Sequence, residues 1–562
     1  MKTKVHYGDY TDRELEAMSP DQLIAIIVGH QMEENFIIMT DSYKMTHHLL
    51  YPEGLEEVYS YMESRGGEMP YTTLVLLQYY IKKYLVGVRI TPAKIEEARQ
   101  KNIAHFGFDC FDDTMWKHIW ENHGGKLPLE IKAVPEGTPV ATKNIIMSIR
   151  NTDKKCAALT NVTETLLMKI WAPNTVATYA RLVRTLIKKM HAITSDAPEF
   201  LVNFMHHDFG YRGVSSEESA RILGAAALSS GFMGTDTMGA LSLINDFYDE
   251  PMAGFSVIAS EHSVMCSYGG KHKEPEAYRR IIQRVKEKCA NVNPTSGVII
   301  LSLVSDTWNI YNVCYNILPE LASEFIGWTN NHGIPIKIVV RPDSGDPEVI
   351  LFGSDSFIEA EKLAQKLADE MNITFDQAFE LVKKGIIQIL FDKFGSTVNS
   401  KGYRVFHPQI GVLQGDGVSY KVIQNLYEVM ISKKMDIMNL VFGSGGKYLQ
   451  LHDRDEQKYA IKATHVIVNG ESINVEKNPI TDAGKKSKIG YLKLVRTGPT
   501  WKDFITMQSN QPGFEEAKDE LVTVFLNGEL TKEYTFTEVR NNSEIRQEEL
   551  ESETLDRKLV LA

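Results

Sequence analysis

The chain has 562 residues, 43% of them hydrophobic, and a formal net charge of −12. That length exceeds one ordinary core, so two domains are expected. The acidic balance excludes non-specific nucleic-acid binding, which needs a basic face, but leaves room for a local basic pocket that takes a small anion. Five cysteines (Cys110, Cys156, Cys266, Cys289, Cys314) are scattered and never spaced as Cys-x-x-Cys. They point to a reduced, cytoplasmic protein without a structural zinc site. No apolar run approaches the roughly 20 residues that span a bilayer, so no membrane partner is expected.

Residues 1–35 read as an N-terminal extension. Within it Ser19-Pro20-Asp21 starts a short helix ahead of the apolar Leu23 to Val28. From Phe36 an apolar, strand-like stretch runs into Thr40-Asp41-Ser42-Tyr43-Lys44. Tyr79 to Leu85 and Pro92 to Asn102 read as helices, the second capped by Thr91 with proline in its first turn. Leu129 to Val134 and Asn144 to Ile149 read as strands.

From about 176 to 449 strand and helix alternate, which implies βαβ units and a parallel sheet. Seven short apolar runs here each end in a polar, glycine-rich cluster. The clusters are His207 to Gly213, Gly234 to Thr237, Glu261-His262-Ser263, Ser305-Asp306, Arg341 to Gly345, Gln414 to Gly417 and Gly443 to Gly446. The clearest strands before them are Gly297 to Val304, Ile336 to Val340, Gln409 to Leu413 and Asn439 to Phe442. A barrel of parallel strands brings such clusters together where the carboxyl ends of its strands meet. The long gap between Asp343 and Asp416 holds charged helices over Ser356 to Asp369 and Thr374 to Lys384, then a loop from Ser396 to Arg404.

After about 450 the pattern changes. His465 to Asn469 and Tyr491 to Val495 read as strands around a basic loop with Lys485, Lys486 and Lys488. Leu521 to Leu526 and Leu530 to Phe536 flank Asn527-Gly528, a two-residue hairpin signal. Residues 542–562 form a charged tail, frayed or helical.

The clusters carry the chemistry. Arg341 and Asp343, two apart at a strand end, point the same way and could bind a phosphate and a sugar hydroxyl, or form an ion pair that caps the strand. Asp416 between glycines suits ribose hydroxyls or a metal, or is simply a turn. Phe442-Gly443-Ser444-Gly445-Gly446 is a phosphate-cradle candidate without a Walker A frame. Phe209 beside Arg212 suits a flat ring next to a phosphate, or Phe209 is core. His262 stands between polar neighbours and is catalytic or structural. Together they describe a phosphorylated sugar and a flat ring better than an apolar ligand.

With these motifs in order and spacing, joined by Thr40 to Lys44 and Tyr59 to Arg65, the chain from about Phe36 to Asn541 resembles the nicotinamide phosphoribosyltransferase family of type II phosphoribosyltransferases. The resemblance implies an α/β fold: an irregular, TIM-like α/β barrel over 176–449 and a discontinuous α+β domain over 36–175 and 450–541. It implies joining nicotinamide to 5-phosphoribosyl 1-pyrophosphate, giving nicotinamide mononucleotide and pyrophosphate with Mg2+, as a salvage entry to NAD. It also implies a homodimer with two active sites shared across the subunit interface.

Carried over by position, Phe209 stacks on nicotinamide, with Tyr43 of the second chain on the other face. Asp236 accepts from the carboxamide. Arg212 and Arg341 bind ring amide or phosphate groups. Asp343, Gly415 and Asp416 hold ribose and pyrophosphate with the metal, and Gly446 cradles the 5-phosphate. Arg65, Arg454 and Lys462 bring positive charge to phosphates from the second chain. His262 is the position phosphorylated by ATP, with arginines around it to stabilise the developing charge. Ala460 and Lys447 depart from the family pattern near the phosphates. Rival readings are a nicotinate phosphoribosyltransferase, a barrel glycosidase using two of the carboxylates, and a non-catalytic binding protein.

Overall fold

The computed structural model describes residues 34–354 and 356–551. The helix expected over Leu23 to Val28, and the tail beyond residue 551, lie outside them.

One sheet positions the site. Its seven strands run in the spatial order Gly234–Thr235, His206–Asp208, Leu440–Ser444, Ile410–Gln414, Ile336–Arg341, Ile299–Val304, Ile258–Ala259. Every pairing is parallel. The central strands read as nearly continuous apolar runs because both faces are covered: the consecutive pairs Ile338 and Val339, Leu303 and Val304, and Val412 and Leu413 are all buried. The ring closes through the segment that ends in Ile258–Ala259. Phe255 bridges Gly234 on one edge, and Ile258 pairs with Leu301 on the other. The barrel is thus irregular, with seven strands where a regular TIM barrel has eight.

The second sheet is antiparallel and built from both ends of the chain. Leu55–Ser64, Leu129–Ala133 and Ile145–Asn151 come from the first part, and Tyr459–Val468, Glu471–Asn474, Val522–Leu526 and Glu529–Leu530 from the last. The long helix Trp171–Thr194 runs straight through the expected boundary at 175 and packs on the barrel helix Glu217–Ser229.

Several local expectations give way to the structure. The apolar stretch at Phe36 is a 3-10 turn, not a strand, because the Asn35 side chain accepts from Ile37 N and caps it. Ser396–Val398 pairs with Arg404–Phe406 as a hairpin where a loop was expected. The Asn527-Gly528 turn forms with both residues at positive φ, but its second strand is only Glu529–Leu530. Thr535 then caps a helix over Phe536–Asn542.

At the C-terminal side the helical alternative holds in part. Residues 543–551 include a helical turn over Gln547–Leu550 and are packed, not frayed. Arg181, fully buried, donates to Ser543 O at 2.7 Å and Glu544 O at 3.1 Å, and pairs with the buried Glu549 at 2.9 Å. Glu544 also takes Arg184 at 3.1 Å and Lys188 at 2.9 Å. Breaking one side of a buried pair leaves an uncompensated charge, which costs about 3–5 kcal/mol. Glu549→Ala is therefore expected to lower the thermal midpoint sharply, and Arg181→Met with Glu549→Leu to lower it less. Thermal unfolding of the three chains checks the order.

Candidate active site

The barrel's carboxyl ends gather the expected residues. Asp208 ends one strand and Phe209 follows it; Asp236 follows Thr235; His262 lies three residues beyond Ala259. Asp306, Asp343, Gly415 and Gly446 follow Val304, Arg341, Gln414 and Ser444 by one or two residues. Backbone hydrogen bonds carry the ladder past the strands: Phe209 N to Ser444 O, Asp236 N to Asp208 O, Ser305 N to Arg341 O, and Ser260 N to Ser302 O, all at 2.8–2.9 Å.

On one side of the mouth lies a ring platform. Phe209 is half-buried and tilts against His207 at 4.8 Å between centroids. Gly443 makes room for it, since a Cβ there would lie 2.0 Å from Phe209 Cε2. Asp236 Oδ1 accepts from His207 Nε2 at 2.9 Å and Ser256 Oγ at 2.6 Å. Burial alone would raise its carboxyl, but these two bonds, the His207 charge and Arg341 outweigh it and hold the group below the ordinary carboxylate range. Both bonds fall on Oδ1, so Oδ2 remains as an acceptor for a ligand N–H.

On the other side lies an acidic nest around His262. Its Nδ1 meets Thr307 Oγ1 at 3.1 Å, which turns Nε2 toward Asp343 Oδ2 at 3.5 Å and Asp306 Oδ1 at 4.0 Å. Asp306 is nearly buried; its Oδ2 accepts from Asp343 N at 2.9 Å and from Ser344 Oγ, while its Oδ1 is buried without a partner. Asp343 is pushed above the usual carboxylate range, first by burial and further by Asp306 and Asp416, against the pull of Arg341 and His262. The groups nearest the His262 ring are carboxylates, not the expected arginines. Arg212 is exposed and reaches Glu261 at 3.9 Å.

Arg341 stands between the two sides. Its Nη2 donates to Ser260 O at 2.8 Å, its Nε is buried without a partner, and its charge bears on both Asp236 and Asp343. Gly415 closes the floor: a Cβ would lie 3.1 Å from Asp343 Oδ1. Asp416 is exposed beside it. Gly446 opens the helix Gly446–Gln450 and meets Gly213 so closely that a Cβ on either would strike the other's backbone, at 2.9 Å or less.

The chain does not bring all the expected residues to this mouth. Tyr43 is exposed on the turn Ser42–Leu49 and packs against His47. Arg65, at the end of Leu55–Ser64, bonds Glu63 at 3.3 Å and keeps a buried Nη2 without a partner. Arg454 pairs with Asp455 at 3.2 Å. Lys462 is pulled down by burial; Glu164 opposes this, and Arg65, Lys477 and Arg454 nearby add to it.

Reading the sequence missed His207 as the partner of Asp236, and Asp306 and Thr307 as partners of His262. All three stand in or beside the strand-end clusters, so position was the available signal. Gly443→Ala is expected to displace Phe209 and to weaken binding of nicotinamide, the flat ring the resemblance implies. Overpacking costs about 1–3 kcal/mol, or roughly five- to a hundred-fold in Kd. Isothermal titration of both chains checks it.

Comparison with known proteins identifies the family. The nicotinate phosphoribosyltransferase (NAPRTase) family matches residues 204–529, and the nicotinamide phosphoribosyltransferase N-terminal domain matches residues 35–131. A protein of Xanthomonas campestris named nicotinamide phosphoribosyltransferase is 36% identical over 517 residues, covering 91% of this chain and 98% of that protein. One of Acinetobacter baylyi with the same name is 32% identical over 518 residues, covering 89% and 95%. The crystal structure of human nicotinic acid phosphoribosyltransferase aligns over 93% of this chain and 95% of its own at 13% identity, with a TM-score of 0.48. The chain belongs to the nicotinate phosphoribosyltransferase family and carries, ahead of the barrel, the N-terminal domain described for nicotinamide phosphoribosyltransferases.

Proposed function

We propose that the chain is a nicotinamide phosphoribosyltransferase, joining nicotinamide to 5-phosphoribosyl 1-pyrophosphate in NAD salvage. The observation that carries this reading is Asp236, held anionic beside the Phe209 ring. A carboxamide donates an N–H to that carboxylate; the carboxylate of nicotinate would be repelled.

The chemistry follows from the layout. Phe209 stacks the pyridine and Asp236 fixes its rotation, so the ring nitrogen is aimed at C1 of the ribose. The nitrogen–C1 bond forms as the C1–oxygen bond breaks, and pyrophosphate leaves. The ring nitrogen carries no proton, so the step needs no general base. Asp343 and Asp416 beside Gly415 hold ribose hydroxyls, and Gly446 leaves backbone N–H groups free for the 5-phosphate.

Magnesium fits this chain. The unpartnered buried oxygen of Asp306, with Asp343 and Asp416, is a set of hard oxygen donors. These residues would hold the ion, which neutralises negative charge on the pyrophosphate when bound.

ATP is the proposed phosphoryl donor to His262. With Nδ1 held by Thr307, the Nε2 lone pair is free to attack the γ-phosphorus. The Nε2–phosphorus bond forms, the bridging phosphorus–oxygen bond breaks, and ADP leaves.

The reading includes a cytoplasmic homodimer in which Tyr43, Arg65, Arg454 and Lys462 serve the neighbouring chain's mouth. No helix among the described residues is long and apolar enough to cross a membrane, and the five cysteines are all unpaired.

Three outcomes are expected. Wild-type protein forms mononucleotide from nicotinamide far faster than from nicotinate, and Asp236→Asn narrows or inverts the ratio; equal use of both bases by wild type would overturn the reading. Tyr43→Ala and Asp343→Ala chains, each inactive, regain activity when mixed under conditions of subunit exchange, because one hybrid site is intact; no recovery removes the shared site. Wild-type protein hydrolyses ATP and carries an acid-labile, base-stable phosphate, both absent from His262→Ala. Undiminished hydrolysis in that variant removes the phosphohistidine and leaves phosphoribosyl transfer standing.

A further inference from the structure

A second cluster of ligating side chains lies outside the barrel. His118 sits in the helix Thr114–His123, and His123 is that helix's last residue. Asp153 caps the 3-10 turn Lys154–Cys156 that follows the strand Ile145–Asn151. The two imidazoles converge on one carboxylate oxygen: His118 Nε2 lies 2.9 Å and His123 Nε2 2.8 Å from Asp153 Oδ2. The three donor atoms all lie within 4.8 Å of one another.

The carboxylate is pre-set for this. Asp153 Oδ1 is taken by Lys155 N at 2.8 Å, and its backbone O by Asn151 Nδ2 at 2.9 Å, so Oδ2 alone faces the rings. The side chains of His118, Asp153 and His123 are 14%, 23% and 26% exposed. They are desolvated enough to hold an ion tightly and open enough to admit one. His123 also stands at a helix C-terminus, where the backbone carbonyls favour a cation.

We propose that His118, His123 and Asp153 form a zinc site that fastens the helix Thr114–His123 to the end of the Ile145–Asn151 strand. Two imidazoles and a carboxylate are borderline donors that suit zinc, with a water in the fourth position. Tetrahedral bonds of about 2.0 Å set donors about 3.3 Å apart, so each His–Asp pair need open only by about half an ångström, with the two ring nitrogens, within 4.8 Å of each other, set to the same spacing. On binding, each neutral ring moves its proton from Nε2 to Nδ1. For His118 that proton meets the Asn122 amide, 3.0 Å from Nδ1, which turned about its χ2 presents an oxygen to accept it. The scattered cysteines exclude a thiolate zinc site; they do not bear on this donor set.

The test uses the full chain stripped of metal by chelation, then titrated with zinc chloride in excess magnesium so that oxygen-only sites are filled. Wild type is expected to bind one zinc more per chain than His118→Ala/His123→Ala, while Asp343→Asn keeps that zinc. Zinc is expected to raise the thermal midpoint of wild type and not of the double variant. His123→Gln, a milder change, should weaken the affinity at least about tenfold. Circular dichroism confirms that each variant is folded. If the double variant does not fold, His123→Gln decides. No zinc on wild type, equal stoichiometry in wild type and double variant, or unchanged affinity in His123→Gln would each overturn the site and leave a hydrogen-bonded clip.

Discussion

The buried carboxylate of Asp208 joins the loop that carries Phe209 to the loop that carries Asp236, the two proposed to hold the base. It accepts from Gly210 N at 2.7 Å, Thr235 Oγ1 at 3.1 Å and Thr237 Oγ1 at 2.6 Å. One side of that set fixes the turn behind Phe209, and the other fixes the turn that presents Asp236. Burial pushes the Asp208 carboxyl up, and the three donors pull the other way. A carboxylate in so dry a place is tolerated only because it is saturated with donors. The turn behind Phe209 and the turn that presents Asp236 are therefore anchored to one buried carboxylate.

The mouth divides by charge as well as by element. Asp236 is drawn below its ordinary range by His207 and Ser256, whereas Asp343 is pushed above it by burial and by neighbouring carboxylates. Two aspartates at the same barrel end thus do different work. In the proposed function Asp236, held below its ordinary range, accepts from a neutral amide. Asp343 lies in an acidic nest that a cation or a protonated imidazole would relieve. The charge of Arg341 bears on both, lowering each carboxyl.

Much of this was legible in the sequence because strand-end clusters have a simple grammar. β-branched runs such as Ile336 to Val340 end at glycine or proline, and the barrel fixes where those ends meet. Pairing was not legible. Nothing in the order of residues says that His207 faces Asp236, or that Asp306 carries the backbone N–H of Asp343, since those contacts join separate strands. The C-terminal side was legible only in part, for another reason. Glu544 and Glu549 belong to the charged tail, and only the fold supplies Arg181, Arg184 and Lys188 as buried partners. Phe536 looked like the end of a hairpin strand, but the Thr535 cap and its capping box with Glu538 won over the short second strand.

The charge balance of a single mouth bears on assembly. Glu261, Asp236, Asp306, Asp343 and Asp416 outnumber Arg212 and Arg341 there, so one chain's barrel end is acidic. A pyrophosphate-bearing sugar is strongly anionic and would be repelled by it. Elsewhere on the same chain Arg65, Arg454, Lys462 and Lys477 lie near one another; burial lowers Lys462 first, Glu164 opposes that, and the other three cations add to it. Glu63 and Asp455 offset part of that positive charge through Arg65 and Arg454. Under the proposed function a bound divalent ion would offset part of the negative charge at the mouth, and a neighbouring chain's cations would offset the rest. In this reading phosphate binding and subunit association are one electrostatic event, so high salt should weaken sugar-phosphate binding more than nicotinamide binding, which rests on stacking and one half-buried carboxylate.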